Sequence, residues 1–331
     1  MIPAFVRAHE TDLIAALRDS RPDLTEALAG LGGAFEAGLS PLDLLLGRGS
    51  IAAGEILTLQ ERLPPRSLTW GPFRVGREVG RGAGGVVFRA YDEAAGQEVA
   101  LKLFRAPCEG LNSVRVGRFR REVQLLERLR HPALAAVHLA GEEEGQLFLA
   151  THWLPGGSLE ERGRQAPALA ISWIERLSDG LAHAHAHGVL HRDLSPRNVV
   201  LASDGSPVLV DFGLAKDASG AALTASQLGL GSPAYAAPEQ LGAASGAGAP
   251  SDVYGLTALL YFLLVGQPPF ASTSWSALLR AIQAGPPRLP EGVSPRGELD
   301  HLLAWGLDED PRVRATLPEL RKGLRSLELT T

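Results

Sequence analysis

Glycines recur in the run Gly80-Arg81-Gly82-Ala83-Gly84-Gly85-Val86-Val87. Lacking side chains, glycines let backbone N–H groups approach anionic oxygens closely. In a chain with 38 glycines this spacing is weak by itself. A dinucleotide-binding turn should open a helix, whereas residues 86–91 read as a strand. The run is therefore expected to cover phosphates from a hairpin. A second run, Val99-Ala100-Leu101-Lys102, puts a lysine in an apolar strand. Burying an ammonium without a partner is costly, so Lys102 either snorkels to solvent or meets an anion. Glu122, in a charged segment 20 residues on, is the candidate. Three further runs follow: His191-Arg192-Asp193-Leu194-Ser195-Pro196-Arg197-Asn198, then Asp211-Phe212-Gly213, then Ala237-Pro238-Glu239. Any one of the five can arise by chance. Their order and separations together cannot be dismissed so easily.

Those residues need elements to hold them. Residues 73–79, 86–91 and 98–104 are Gly-punctuated and β-branched, and read as strands. A helix is expected over 118–130 and another strand over 146–151. From Leu159 onward the pattern is mostly helical, with short strands over 199–201 and near 208–210. Residues 256–265 form the longest apolar run and suit a buried helix. A small β-rich part followed by a larger α-rich part is an α+β arrangement, not βαβα alternation.

Residues 1–70 differ. Leu13, Ala16 and Leu17, then Leu24, Leu28 and Leu31, recur at helical spacing. Ser40-Pro41 is a cap and first helical residue. Ser50 is expected to cap a helix over 51–63, which Pro64-Pro65 stops. Three or four short helices result, with no constellation of reactive groups among them.

Composition narrows the class. The chain has 331 residues, 45% hydrophobic and 21% charged, with a formal charge of −5. That is ordinary globular composition for about two domains. One cysteine, Cys108, excludes an internal disulfide framework. The acidic balance argues against nucleic-acid binding driven by net charge. No membrane anchor or signal peptide is legible, so a cytoplasmic location is expected.

With these runs in place, the sequence resembles the eukaryotic-type protein kinases, and among them the bacterial Ser/Thr kinases. The resemblance covers about residues 73–327. It implies a bilobal protein kinase fold, with a small lobe over about 73–151 and a large lobe over about 155–327. Residues 1–70 would be a helical extension with a regulatory or docking role and a partner of unknown kind. Pro155-Gly156-Gly157-Ser158-Leu159 resembles the segment after the interlobe hinge. Gly231-Ser232-Pro233-Ala234-Tyr235 resembles the substrate-side loop. Ser251-Asp252-Val253-Tyr254 resembles the start of the central large-lobe helix. Asp310-Pro311-Arg312-Val313-Arg314 resembles the closing segment, whose Arg314 would pair with Glu239.

The resemblance implies ATP and Mg²⁺ as cofactors and protein hydroxyls as acceptors. Gly80, Arg81, Gly82, Ala83, Gly84 and Gly85 would cover the phosphates. Lys102, held by Glu122, would bind the α- and β-phosphates. Val87 and Ala100 would wall the adenine. Thr151 falls at the gatekeeper position, with His152 and Leu154 in the hinge. Asn198 and Asp211 would supply oxygen ligands to Mg²⁺. Asp193 would orient the attacking hydroxyl, and positioning with charge stabilisation would do most of the catalysis.

Two departures matter. Ser195 stands where most Ser/Thr kinases carry a lysine, and Arg197 is expected to take its role. Ser232 replaces the usual threonine but keeps a hydroxyl. Arg192 would pair with a phosphate on the activation loop, at Thr224 or Ser226. The alternating His183, His185 and His187 do not share a helix face, so no metal site is expected there. His185 is expected as a packed histidine, Glu142-Glu143-Glu144-Gly145 as a hairpin turn, and Trp70, Trp153, Trp173, Trp275 and Trp305 as packing residues. The expected activity is Ser/Thr protein phosphorylation, including autophosphorylation. The alternative is a pseudokinase serving as a nucleotide-binding scaffold, for which Ser195 is the sequence support.

Overall fold

Alternating burial along Gly85–Asp92 decides how the first part of the chain folds. Val86, Phe88, Ala90 and Asp92 are buried, and the residues between them are less so. Period-two patterning of this kind puts one face of a strand into a core. The computed structural model describes residues 3–31, 33–35, 39–60, 63, 68–82, 84–104, 113–212, 233–241, 247–272, 274–293 and 295–328. The chain forms two units, Met1–Gln124 with Val137–Trp153, and Leu125–Ala136 with Leu154–Thr331.

In the first unit a six-stranded antiparallel sheet has the order β1-β2-β3-β4-β6-β5. Its strands are β1 (Leu68–Trp70), β2 (Phe73–Gly82), β3 (Gly85–Asp92), β4 (Gln97–Phe104), β5 (Val137–Glu143) and β6 (Gln146–His152). Helices α1 (Ala4–Ser20), α2 (Thr25–Ala29), α3 (Pro41–Gly47) and α4 (Ala53–Gln60) precede the sheet, and α5 (Ser113–Leu126) follows β4. Ser40 caps α3 as expected, its hydroxyl accepting from the Asp43 N–H at 3.0 Å. The helix expected from Ser50 starts instead at Ala53, because residues 48–51 turn first. The short strand β1 was not expected; three residues leave too little pattern to read. Helix α5 ends at Leu126, short of the expected 130, and residues 127–128 form a turn. Glu144 and Gly145 make the expected β5–β6 turn, both at positive φ (51° and 75°).

The sheet has two different faces. Val86, Phe88, Ala90, Val99, Leu101 and Leu103 join Phe5 and Val6 of α1 in one core. Phe5 meets Trp70 and Phe88 with ring centroids 5.7 and 5.4 Å apart. Helices α1–α4 also have their own core, from Leu13 and Leu17 to Ile56 and Leu59. The spacing Phe5, His9, Leu13, Leu17 lets one stripe of α1 serve both cores.

The second unit contains α6 (Leu159–Arg162), α7 (Pro167–Ala186), the hairpin β7 (Val199–Leu201) and β8 (Pro207–Leu209), α8 (Pro238–Leu241), α9 (Ala249–Val265), α10 (Trp275–Gln283), α11 (Arg296–Gly306) and α12 (Leu317–Glu328). Fourteen consecutive residues of α9, from Ser251 to Leu264, are buried. A helix apolar on all sides is a core element, and α9 is the post on which the neighbouring loops are mounted. Trp173 is in the core as expected, whereas Trp305 is only partly buried, its indole N–H donating to the Val313 carbonyl at 3.1 Å. Among the described residues no helix is long and apolar enough to cross a membrane.

Candidate active site

The small unit presents the glycine run and the strand lysine on the sheet face opposite α1. Cross-strand partners share a face, and Val87 lies opposite Lys102 while Ala100 lies opposite Thr151. The expected adenine walls, the lysine and the gatekeeper position therefore line one surface. Gly80 and Gly82 pair with Val87 and Gly85, so the run does form a β2–β3 hairpin. Gly85 has φ +138°, and a Cβ there would stand 2.0 Å from the Leu103 carbonyl oxygen. Only glycine fits that closing position. Ala83, at the tip, lies outside the described residues. The Lys102 ammonium sits 5.3 Å from the centre of the Phe104 ring. Phe104 in turn packs edge-on against Phe119 of α5, at 5.2 Å. Glu122 lies one turn beyond Phe119, on the same side of that helix, and is half-buried. In the hinge stretch His152 is exposed and Leu154 half-buried, and the Trp153 N–H donates to the Glu98 carbonyl at 3.2 Å.

Arg81 behaves differently from its glycine neighbours. Its side chain is buried and points to α1 and α3, not along the hairpin. No local pattern signals this, because its partners are scattered over 71 positions.

In the large unit the loop from His191 to Asn198 is held at many points. Asp252, near the start of α9, accepts from the backbone N–H of His191 at 2.9 Å and of Arg192 at 2.7 Å. It also bonds His185 Nε2 at 2.8 Å, which makes His185 the packed histidine expected. His191 is fully buried, and its Nε2 lies 3.0 Å from the Val210 carbonyl. An N–H there donates, so Nδ1 is left to accept from the Asp193 N–H at 3.3 Å. Burial pushes the His191 pKa down against the pull of Asp252, which keeps the ring neutral and this tautomer in place.

The carboxylate and the amide of the loop meet directly. Asn198 Nδ2 donates to the Asp193 carbonyl oxygen at 2.7 Å and to Asp193 Oδ2 at 3.1 Å. The amide nitrogen is thereby spent on Asp193, and Asn198 Oδ1 remains as its acceptor end. The Val210 N–H donates to the Asn198 carbonyl at 3.0 Å, tying this loop to the residue before Asp211. Asp211 and Arg192 have φ of 64° and 62°. Non-glycine residues pay about 1–3 kcal/mol for such backbone, and it persists where the surroundings fix it. The Phe212 ring packs tilted against His191, with centroids 4.7 Å apart. Ser195 is buried, and Arg197 Nε donates to Glu160 Oε2 at 2.7 Å. Gly213, Thr224, Ser226, Gly231 and Ser232 lie outside the described residues, as does Cys108.

Arg314 meets Glu239 as expected, through two parallel bonds of 2.7 and 3.0 Å. Asp252 lay inside a recognised segment, but its anchoring role was missed because its partners lie 60 residues upstream.

Comparison with known proteins agrees with this geometry. A family model described as "Protein kinase domain" matches residues 73–323. The chain is 32% identical over 263 residues to serine/threonine-protein kinase PknD of Mycobacterium tuberculosis, covering 77% of this chain and 39% of that protein. It is 36% identical to PknE of the same organism, covering 74% and 44%. It is also 36% identical to the DNA damage-responsive serine/threonine-protein kinase RqkA of Deinococcus radiodurans, covering 78% and 40%. The chain thus spans about two-fifths of the length of these curated relatives. Among solved structures, the kinase domain of M. tuberculosis PknI superposes with a TM-score of 0.60 at 27% identity, covering 79% of this chain and 98% of that domain. The chain belongs to the protein kinase family.

Proposed function

We propose that this chain is a Ser/Thr protein kinase that moves the γ-phosphoryl group of ATP to protein hydroxyls, itself included. The observation that carries the reading is Asp193 held by Asn198 Nδ2 at 3.1 Å, on a loop whose backbone Asp252 anchors. A carboxylate fixed in this way can accept a hydrogen bond from an alcohol and aim it for in-line attack. The residues suit ATP and Mg²⁺. Gly80, Gly82 and Gly85 carry no side chain that would stand between the hairpin backbone and a phosphate. Asp211 and the acceptor end of Asn198 offer hard oxygen ligands, as Mg²⁺ requires. Lys102, held by Glu122, would neutralise the α- and β-phosphates. Bound Mg²⁺ would supply charge neutralisation for the transferring group. Arg192, beside Asp193, is the residue through which a phosphate at Thr224 or Ser226 would order the activation loop.

Ser195 and Arg197 favour a second reading. A buried serine replaces the usual loop cation, and Arg197 is engaged by Glu160. A pseudokinase that binds nucleotide and signals by conformation would tolerate both. Phosphotransfer from γ-labelled ATP with Mg²⁺ to a generic basic protein decides the matter. Label on Ser or Thr, absent from Asp193→Asn and Lys102→Met, is the expected result. Nucleotide binding without label in the unaltered chain would select the scaffold.

A further inference from the structure

Arg81 sits between the first two glycines of the phosphate-covering hairpin, yet its guanidinium is as buried as any core residue. Its side chain is 1% exposed, and those of Glu10 and Glu78 are 0% exposed. Nε and one terminal nitrogen bind both Glu78 oxygens, at 2.8 and 2.7 Å. The other terminal nitrogen binds Glu10 Oε1 at 2.8 Å and Asp43 Oδ1 at 3.2 Å. Ser40, the cap of α3, donates to Glu10 at 2.7 Å. His9 Nε2 lies 3.0 Å from Glu78 Oε2, and Gln60 of α4 accepts from the Glu78 N–H at 3.1 Å. Three of the four N-terminal helices thus converge on two residues of β2.

A cluster of this kind is expensive to build. Buried carboxylates lose hydration, and an arginine returns it only through good geometry. Burial pushes the Glu10 carboxyl up despite Arg81 beside it. Burial also works against Glu78, but the bonds from Arg81 outweigh it and hold that carboxyl low. Apolar residues of equal volume would fasten the helices to the sheet at less cost. The place of attachment is the informative feature. The pairing of β2 with β3 is irregular between Val75 and Gly80, and the hairpin tip is mostly glycine. Pairing resumes from Gly80 to Gly85, but the register shifts on either side of Glu78 leave the strand that leads into the hairpin without a regular ladder. The guanidinium of Arg81 is one residue from Gly80 and one from Gly82.

We propose that the N-terminal helices act as a clamp on the phosphate-covering hairpin, with Arg81 as the positioning residue and Glu10 and Asp43 as its anchors. The clamp sets the direction of the β2–β3 hairpin, and with it the backbone N–H groups of its glycines, where a nucleotide triphosphate needs them, so the extension is part of the ATP site's machinery. This rests on the kinase reading, because it assigns the hairpin to ATP.

The test uses the full chain. Glu10→Gln keeps size and hydrogen bonding but removes the anchoring charge, and Arg81→Lys keeps charge but loses the bidentate fork. Each should raise the KM for ATP, and the Kd for MgATP by calorimetry, about tenfold with kcat within about threefold. Deuterium uptake by residues 80–88 should rise in both. Leu28→Ala, in the core of the extension and away from Arg81, is the stability control. If it lowers the melting temperature as far and raises KM as much, the clamp is only a structural support and the proposal fails. Unchanged KM and Kd in Glu10→Gln would also overturn it. Phosphate transfer and MgATP binding by the unaltered chain separate the two readings. If the unaltered chain transfers no phosphate but binds MgATP, and Glu10→Gln weakens that binding, the clamp stands and the kinase reading falls. If the unaltered chain binds no MgATP, the clamp positions nothing and the proposal falls.

Discussion

Asp252 accepts a hydrogen bond from the main-chain N–H of His191 at 2.9 Å, from a helix position 61 residues further along the chain. The same carboxylate takes the Arg192 N–H and a nitrogen of His185. Three donors converge on one buried anion, so an acceptor with four lone-pair sites is required. Asp252→Asn replaces one accepting oxygen with an NH₂ group, which opposes N–H against N–H. Leaving a buried donor unpaired costs about 1–3 kcal/mol. The loop carrying Asp193 should lose its setting, and kcat should fall about 10- to 100-fold. The Kd for MgATP should change little. Steady-state kinetics beside calorimetry checks this, and an unchanged kcat would refute the anchoring role.

Glu239 and Arg314 give a pH prediction with a definite sign. Burial pushes the Glu239 carboxyl up, but the hydrogen bonds from Arg314 outweigh it and hold the pKa below its ordinary value of 4.5. A group depressed on folding stabilises the fold above its unfolded pKa and loses that contribution as the pH falls through its folded value. Urea stability should therefore be level near neutrality and fall below about pH 4.5. Glu239→Gln should cost about 3 kcal/mol at pH 7, because it leaves Arg314 buried without its counter-charge. The variant should also show a shallower loss between about pH 5 and 3. Equal slopes in the two proteins would assign the acid sensitivity elsewhere.

How much of this was legible in the sequence follows from where each interaction is made. The glycine hairpin, the His191–Asn198 loop and the short strands around it are local, so turn chemistry and spacing exposed them. The Arg314–Glu239 pair spans 75 residues, yet it was expected because each partner lies in a recognised segment. Arg81 shows the opposite case. Residues 10, 40, 43, 78 and 81 have no shared spacing; Ser40 reads as a cap, Arg81 as part of the glycine run, and nothing local marks the three carboxylates as its partners. Only the packing of α1 on the sheet, through Phe5 and Val6, turns them into a buried cluster. Ser50 failed as a cap for a simpler reason: a turn with Gly49 at φ 68° postpones the helix.

Arg197 can be separated from its partner by magnitude. It is 47% exposed and Glu160 50%, and an ion pair so open to water contributes about 0.2–1 kcal/mol. Arg197→Ala should thus leave urea stability nearly unchanged. If the guanidinium substitutes for the loop cation that Ser195 lacks, kcat should fall about tenfold or more. Glu160→Gln should leave kcat unchanged or raise it, since it removes a charge that competes for the arginine. Loss of stability without loss of kcat in Arg197→Ala would reverse the assignment.

Gly255, within α9, faces the His191–Asn198 loop. A Cβ built there would stand 2.8 Å from Leu194 Cβ, the residue next to Asp193. Leu194 is 5% exposed and its Cβ is fixed to the backbone, so the contact cannot be relieved by a rotamer change. On helix propensity alone Gly255→Ala should stabilise by about 0.5–1 kcal/mol. Overpacking a filled core costs about 1–3 kcal/mol, which exceeds that gain and sets the sign. The variant should be less stable, and kcat should drop because the displaced atom is bonded to the loop's own backbone. Leu194→Gly alone should lower stability by opening a cavity and loosening the backbone. Combining it with Gly255→Ala should recover part of the Gly255→Ala loss, because it removes the Cβ that the added methyl meets. Strict additivity of the two changes in a denaturation cycle would mean that they do not meet, and that α9 does not set the position of Asp193 through this contact.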